Sequence, residues 1–525
     1  MSRFDLIGPT YQSQSLVADC QLTCNWYVEF IESQRGKSAM ALYPTPGTSL
    51  FATIPGGGPS RAKLEINGRC FEVSGPNFVE LFANGTFTII AQVTNDLLSA
   101  SMAASPQQLL VAAGGNLYVY QLQTQANRAI GTGVAGTFVQ VPNANFTLPS
   151  GAVGQVSMVE FIDGFFIVLL RNSQTIYLST PLDATSWPAL NLIVVSVFSD
   201  NVQSIVENQR RLWVLGRKRS TVYYDSGGPN IFDVDPSGTI ENGAAALFGF
   251  CRADNSVFWL DQEERGGGIV RRASGYTPVR VSNHAVETAL QGYVRAGGTI
   301  SDCFSYSYEE DGHTFVIFQF PTAQKTWAYD VATNMWHERA YWNVSTGLFS
   351  AHKSANHAFA FGKHLVGDPG SGNIYQMSIP VASGSGWNFV TDASNPIKRV
   401  RRSAHVGLEF KRVFYSELHV DVETGLGPQP PLLDGAGNPR DPQLMLRFSR
   451  DYSKTWSNEY ALACGQAGQY RKRVRRSRMG SSKTGMVFEL SATDPIPWRL
   501  VEGYLEAQPG YVAQERLVKT LGKVA

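Results

Sequence analysis

Short runs of aliphatic, aromatic and β-branched residues recur along this chain, separated by polar breaks rich in Gly, Asn, Asp and Ser. Runs this short, bounded by turn formers, predict strands, and helical periodicity is nearly absent. The runs come in pairs: a strand, a tight turn, then a strand with an aromatic near its start. The pairs are Cys70–Val73 with Phe78–Leu81, Leu109–Ala113 with Leu117–Tyr120, Phe165–Leu170 with Ile176–Leu178, and Arg211–Leu215 with Val222–Asp225. They continue as Val257–Asp261 with Ile269–Arg272, Phe315–Phe320 with Trp327–Asp330, and His364–Asp368 with Ile374–Met377. Second members start at 78, 117, 176, 222, 269, 327 and 374, and three of the six steps lie within one residue of 47. The two longest steps exceed that by about a dozen residues, the size of a loop insertion, which costs little.

A period of about 40 to 50 residues with several strands per unit predicts a β-propeller. One blade cannot bury its own faces, whereas a ring of blades buries both faces of each and leaves short edges. Seven units are countable, the first and last being the weakest, so six to eight blades are expected. Stacked β-sandwiches would also show closely spaced strands, but have no reason to repeat a unit. The pattern changes near Ser383. Residues 388–525 lack the repeat and read as a β-rich platform domain, residues 61–387 as the propeller, and residues 1–60 as an arm packing on the platform. The one helix expected runs over 284–290, with Ser282 or Asn283 as its cap.

Composition narrows the class. Of 525 residues, 43% are hydrophobic and 11% aromatic, which disordered chains are not. Gly 50 and Pro 26 argue against long helices. The net charge of +1 excludes a globally basic nucleic-acid wrapper. No run reaches the roughly 18 to 20 apolar residues of a membrane span. The first residues lack the apolar region of a signal peptide. Six scattered cysteines read as a reduced compartment without a disulfide framework.

Candidate chemistry is sparse. Ser449, Asp451, Thr455 and Trp456 match the Asp-box of sialidase-type propellers, with Ser453 where the box has Gly. That box is a hairpin turn in which the Asp accepts backbone N–H groups and the Trp packs beneath; it does not imply catalysis. The carboxylate clusters Asp261, Glu263, Glu264 and Glu309, Glu310, Asp311 read as solvated hairpin tips. His352, His357 and His364 have odd spacings, which on a strand place neighbours on opposite faces and argue against a shared metal. Cys20 and Cys24 lack zinc-site partners. No catalytic residue, metal ligand or cofactor is assigned. Two basic runs stand out, one with Arg399, Arg401 and Arg402, the other with Arg471, Lys472, Arg473, Arg475, Arg476 and Arg478. They read as a phosphate-contacting cluster, as a surface for an acidic partner subunit, or as a solvated edge strand protected by charge.

Taken together, the chain resembles the tail hub, or nozzle, proteins of short-tailed bacteriophages, also called packaged-DNA stabilisation proteins. The resemblance is carried by Tyr43–Gly47, Leu212–Gly216 with Val222–Gly228, Ser256–Asp261, Gly266–Val270 and Gly275–Pro278. Its most specific part is Asp311–Phe315 with the block Phe320–Arg339, and Val366–Asp368, Gly372–Tyr375, Arg447–Glu459, Val487–Leu490 and Asp494 extend it. The resemblance implies a propeller with a platform domain, six copies in a ring, and a DNA channel continued below portal and adaptor. It implies partners: the adaptor or head-to-tail connector, a tail needle or plug, tailspikes or fibres, and sequence-independent contact with genomic DNA. It implies a virion tail component made in the host cytoplasm, without an active site. The basic 471–478 run departs from the family pattern, since a basic lumen would retard sliding DNA; this favours an outward or inter-subunit placement. The competing readings are a sialidase-like or glycan-binding propeller and a cytosolic propeller scaffold.

Overall fold

The computed structural model describes residues 2–33, 35–122, 136–142, 146, 155–228, 230–262, 267–384, 386–408 and 411–510. It divides into two compact units: Pro46–Ile379 with Thr391–Asn395, and Met1–Thr45 with Pro380–Val390 and Pro396–Ala525.

The first unit is a propeller of seven antiparallel blades, six of them separate four-stranded sheets and one built on four strands from Phe304 to Asn343, the last of which also pairs with Leu348–Ala351. Blades 1 to 6 each use four consecutive strands, beginning at Ser60–Ile66, Ser101–Ala104, Val156–Ile162, Val202–Asn208, Phe250–Ala253 and Phe304–Glu310. Blade 7 takes His357–Ala360, Lys363–Gly367 and Asn373–Ser378, and its fourth strand is Gly47–Thr53. This corrects the expected arm of residues 1–60, because Gly47–Thr53 is a blade strand. Thr53 pairs with Asn373 and Gly47 with Ser378, so the ring closes by joining the start of the unit to its end.

The continuous apolar runs have a direct cause. Alternate side chains of a strand point to opposite faces, and here both faces meet another blade. In Phe165–Leu170 of blade 3, Phe166, Val168 and Leu170 pack with Leu117 and Val119 of blade 2. Ile167 and Leu169 pack with Ile205 and Leu212 of blade 4. Two further seams are built the same way, Trp213 and Leu215 against Val257 and Trp259, and Leu365 and Ile374 against Cys70 and Val79. Each such side chain contributes about 1.5–3 kcal/mol on burial. Turn chemistry repeats as well. In six blades the turn from first to second strand holds two residues at positive φ: Asn67–Gly68, Asp163–Gly164, Gln209–Arg210, Asp254–Asn255, Asp311–Gly312 and Phe361–Gly362. Two such residues make the turn whose twist matches paired strands.

The seam between blades 6 and 7 is polar. Arg339, only 1% exposed, donates to the Tyr308 hydroxyl (3.1 Å) and to the Pro46 carbonyl (3.1 Å), and lies 3.3 Å from His352 Nε2. Asp392 accepts from the Thr48 hydroxyl at 3.2 Å, and the Ala393 N–H donates to Thr48 at 2.9 Å. The closing strand is thus fastened at its start by side chains as well as by its ladder.

Three local expectations change. The helix runs over His284–Arg295, longer than expected, and Asn283 caps it by accepting the Val286 N–H at 3.0 Å. His357 and His364 meet, Nε2 to Nδ1 at 2.9 Å, because they lie on neighbouring strands of one hairpin, where the odd-spacing argument for a single strand does not apply. Asp261 is buried and bonded to Arg271 at 2.5 Å, while Glu310 is half-buried and accepts the Ile379 N–H at 2.7 Å. Glu309 and Asp311 are exposed; Glu263 and Glu264 lie outside the described residues.

The second unit is a β-sandwich. One sheet runs Trp26–Phe30, Met40–Pro44, Leu500–Pro509, Val413–Val422 and Val474–Ser482, with Ser2–Phe4 also paired to Leu500–Pro509. The other runs Cys20–Cys24, Arg399–Arg402, Val487–Ala492, Gln443–Ser449 and Tyr460–Ala463. Phe4 and Tyr415 of the first sheet meet Phe488 of the second at 5.7 and 6.2 Å between ring centres. All six cysteines are buried, and burial pushes the thiols of Cys70, Cys251 and Cys464 up to about 12.

Candidate functional site: arginine strands and an Asp-box-like turn

The turn after Gln443–Ser449 is built as its residue types dictate. Asp451 Oδ1 accepts the Ser449 hydroxyl at 2.8 Å and the Thr455 N–H at 2.8 Å, and Oδ2 accepts the Thr455 hydroxyl at 2.6 Å. The Thr455 hydroxyl and N–H, with Ser449, hold the Asp451 carboxyl down at about 2. Tyr452 and Ser453 sit at φ of 61° and 64°, the left-handed region in which Gly is at ease and other residues are strained. Trp456 is half-buried, and the guanidinium carbons of Arg402 and Arg447 lie 5.0 and 4.7 Å from its ring centre.

Those two arginines share one carboxylate. Arg402 Nε donates to Glu489 Oε2 at 2.8 Å, and Arg447 Nε to Glu489 Oε1 at 2.7 Å. The register explains the cluster: Glu489 stands opposite Arg402 on one side and Arg447 on the other. Glu489 escaped the sequence reading, although its acidic side chain between apolar neighbours in Val487–Leu490 called for a cationic partner.

The first basic run is therefore no exposed cluster. Arg399 and Arg401 are fully buried, and Arg402 is tied to Glu489. Arg401 donates to the Leu6 carbonyl (2.6 Å), the Pro9 carbonyl (3.0 Å), the Thr23 hydroxyl (2.9 Å) and the Gln21 amide oxygen (2.7 Å). Burial pushes its guanidinium down to about 9. Alternation put Arg399 and Arg401 on the inward face, where no phosphate reaches them.

Of the second run, Arg475, Arg476 and Arg478 lie on Val474–Ser482, at the edge of its sheet, and Arg471, Lys472 and Arg473 in the segment just before it. Arg471, Lys472, Arg473, Arg475 and Arg478 are exposed. Lys472 reaches Asp441 at 3.5 Å and Arg475 reaches Glu417 at 3.1 Å; the Arg476 guanidinium sits 4.0 Å from the Tyr460 ring centre. Among the described residues, Arg471, Arg473 and Arg478 make no ion pair. Pairing to Val413–Val422 shifts register between Tyr415 and Glu417, opposite Arg478, whose φ is 61°. The Arg450 side chain donates to the Met479 carbonyl at 2.8 Å. The two basic runs thus belong to different sheets and do not form one site.

In the propeller, a cleft of about 570 Å³ is lined by turns of blades 3, 4 and 5. Both arginines that line it meet carboxylates, Arg210 on Asp163 at 2.8 Å and Arg211 on Asp235 at 3.6 Å. Among the described residues, no group of three or more His, Cys, Asp or Glu is placed to hold a metal. No helix among them is long and apolar enough to cross a membrane.

Comparison with known families decides the relationship. Residues 22–382 match the family model of the bacteriophage P22 Gp10 β-propeller, and residues 398–508 match that of the Gp10 β-sandwich. The chain belongs to the P22 Gp10 family. Gp10-family proteins are structural components of the phage tail, so the chain is a tail protein of the virion and both of its units have a counterpart in the family. The resemblance read from Asp311–Arg339 is the family found. Among solved structures, the chain is similar to the N-terminal domain of Nup159 (10% identity, 68% of this chain and 98% of that one, TM-score 0.37). It is also similar to YCF48 bound to a D1 peptide (9% identity, 72% and 99%, TM-score 0.39). Both scores are under 0.5 and neither contributes to the assignment. No curated protein matches the chain.

Proposed function

We propose that this chain is a subunit of the tail hub, or nozzle. Six copies form a ring below portal and adaptor, continue the DNA channel outward and hold the packaged genome until the needle or plug leaves. The ring carries tailspikes or fibres, and its contact with genomic DNA is independent of sequence. The chain is made in the host cytoplasm and catalyses nothing.

The observation that supports this reading is the pair of Gp10-family matches, which together span a closed propeller and a sandwich. A seven-blade ring with apolar seams is a stiff body, suited to a wall around a confined polyanion. Its low charge content suits large permanent contacts between copies, and head-to-tail contacts close into a ring when the rotation allows. The test is a mass measurement on the purified chain, alone and with its adaptor, combined with particle images. A closed ring is expected with the adaptor present. A chain that stays monomeric with every tail component overturns the proposal, and turnover of a glycoside or sugar ester overturns its non-catalytic part.

A further inference from the structure

We infer that the arginine-rich segment Arg471–Arg478, which leads into the edge strand Val474–Ser482, is a binding surface for the phosphodiester backbone of nucleic acid. The inference rests on the hub reading for its ligand, a genome within reach, and on the following geometry for its site.

The segment concentrates charge that the rest of the chain balances. The whole chain carries a net +1, yet six of the eight residues from Arg471 to Arg478 are cationic. Two of these cations meet carboxylates, Lys472 with Asp441 and Arg475 with Glu417. The exposed Arg471, Arg473 and Arg478 do not. Arg450, Lys454 and Lys483, all exposed, belong to the same sandwich unit. Six like charges within eight consecutive residues repel, so the segment gains from a ligand that supplies repeated negative charge. At the bulge opposite Tyr415–Glu417 the consecutive residues Ser477 and Arg478 are both exposed, so Arg478 joins Arg475 on the solvent side of the strand.

Two features select phosphate over an acidic protein. First, a protein interface needs an apolar centre. On 471–482 the exposed positions are Arg, Lys, Ser and Gly, and the nearest large exposed ring is Tyr470. Second, the strand edge is blunted against pairing with another strand: its ladder is broken at the bulge, and Arg450 occupies the Met479 carbonyl. What remains available is a set of guanidinium groups, which match phosphate oxygens in planar, two-pronged contacts. Such contacts carry no sequence information. They also oppose sliding, and in a part that retains a confined genome that drag is useful. Drag therefore does not argue against placing this segment beside DNA, and the interface reading loses its main support.

The experiment uses the full chain and a fluorescent duplex of about 30 base pairs, with anisotropy followed between about 0.05 and 0.3 M NaCl. Each phosphate contact adds about 0.9 to the slope of log K against log salt. Replacing the three unpaired residues together (Arg471→Gln, Arg473→Gln, Arg478→Gln) is expected to lower the slope by about 2.7, or affinity about 500-fold at 0.1 M. The matching triple Lys variant keeps the wild-type slope, and circular dichroism checks that both variants fold. Three results overturn the inference: no binding by the wild type at the lowest salt, an unchanged slope in the Gln variant, or polyglutamate competing as strongly as duplex, which would indicate an acidic protein partner. Mass measurements on the same samples separate the two proposals. A ring that ignores duplex overturns this site alone, and duplex binding by a chain that never assembles overturns the hub alone.

Discussion

Two arginines that look alike in the sequence should behave in opposite ways when replaced by alanine. Arg401 is fully buried and makes four hydrogen bonds, two of them to the carbonyls of Leu6 and Pro9 in the first residues of the chain. Arg475 is exposed and makes one ion pair, to Glu417. A hydrogen bond to a charged group is worth about 1.5–3 kcal/mol. Four of them bound the loss from above at roughly 6–12 kcal/mol, but the guanidinium is held in the interior at a cost, visible in its displacement down to about 9 by burial. Removing that cost offsets part of the loss, while the abandoned carbonyls and the empty volume add to it. The balance for Arg401→Ala is a destabilisation of about 3–5 kcal/mol. For Arg475→Ala it is about 0–1 kcal/mol. In a unit of this size 1 kcal/mol moves the midpoint by about 2–4 °C. Calorimetry on the full chain should therefore show the sandwich transition lowered by roughly 6–20 °C in Arg401→Ala and little moved in Arg475→Ala. Limited proteolysis should open the segment around Leu6–Pro9 in the first variant only. Equal midpoints in the two variants would show that Arg401 does not clamp the start of the chain.

Three further outcomes are expected. Ser453→Gly should raise the sandwich stability by about 0.5–1 kcal/mol, because Gly relieves a left-handed residue at φ 64°; thermal melts check it. The Asp451 carboxyl is depressed in the folded state, so its contribution is complete above about pH 4 and is lost as pH falls toward about 2; Asp451→Asn should flatten that part of a stability–pH curve. Burial holds His337 and His357 down to about 3 and lowers His352 and His364 as well. The unfolded chain therefore takes up protons first, and propeller stability should fall as pH drops below about 6.5. Urea titrations at a series of pH values would show it, with His337→Phe reducing the slope.

What the sequence shows follows the range of the forces involved. Blade strands were legible because each run is apolar on both faces, and the seam between Phe166 and Leu117 needs nothing beyond neighbouring units. The strained position at Ser453 was legible because one residue's φ decides it. Gly47–Thr53 was not legible as a blade strand, since its partner Asn373–Ser378 lies more than 300 residues later and no local signal records such a pairing. Charge was read as exposure, and this failed at Arg399 and Arg401, which lie on a strand buried at Arg399, Val400 and Arg401 alike. The same assumption held for Arg471 and Arg473, which lie near a sheet edge.

The closing strand also sets a schedule. Gly47–Thr53 leaves the ribosome roughly 320 residues before Asn373–Ser378, its ladder partner. At about 5–20 residues per second, the wait is on the order of 15–60 s. Throughout that interval the newborn chain carries an orphan strand at one end and an incomplete circle at the other. The sandwich is in the same position, because Ser2–Phe4 waits for Leu500–Pro509. The propeller therefore closes only once Asn373–Ser378 has been made and the sandwich only once Leu500–Pro509 has, so a stop before Leu500 leaves Ser2–Phe4 without its ladder.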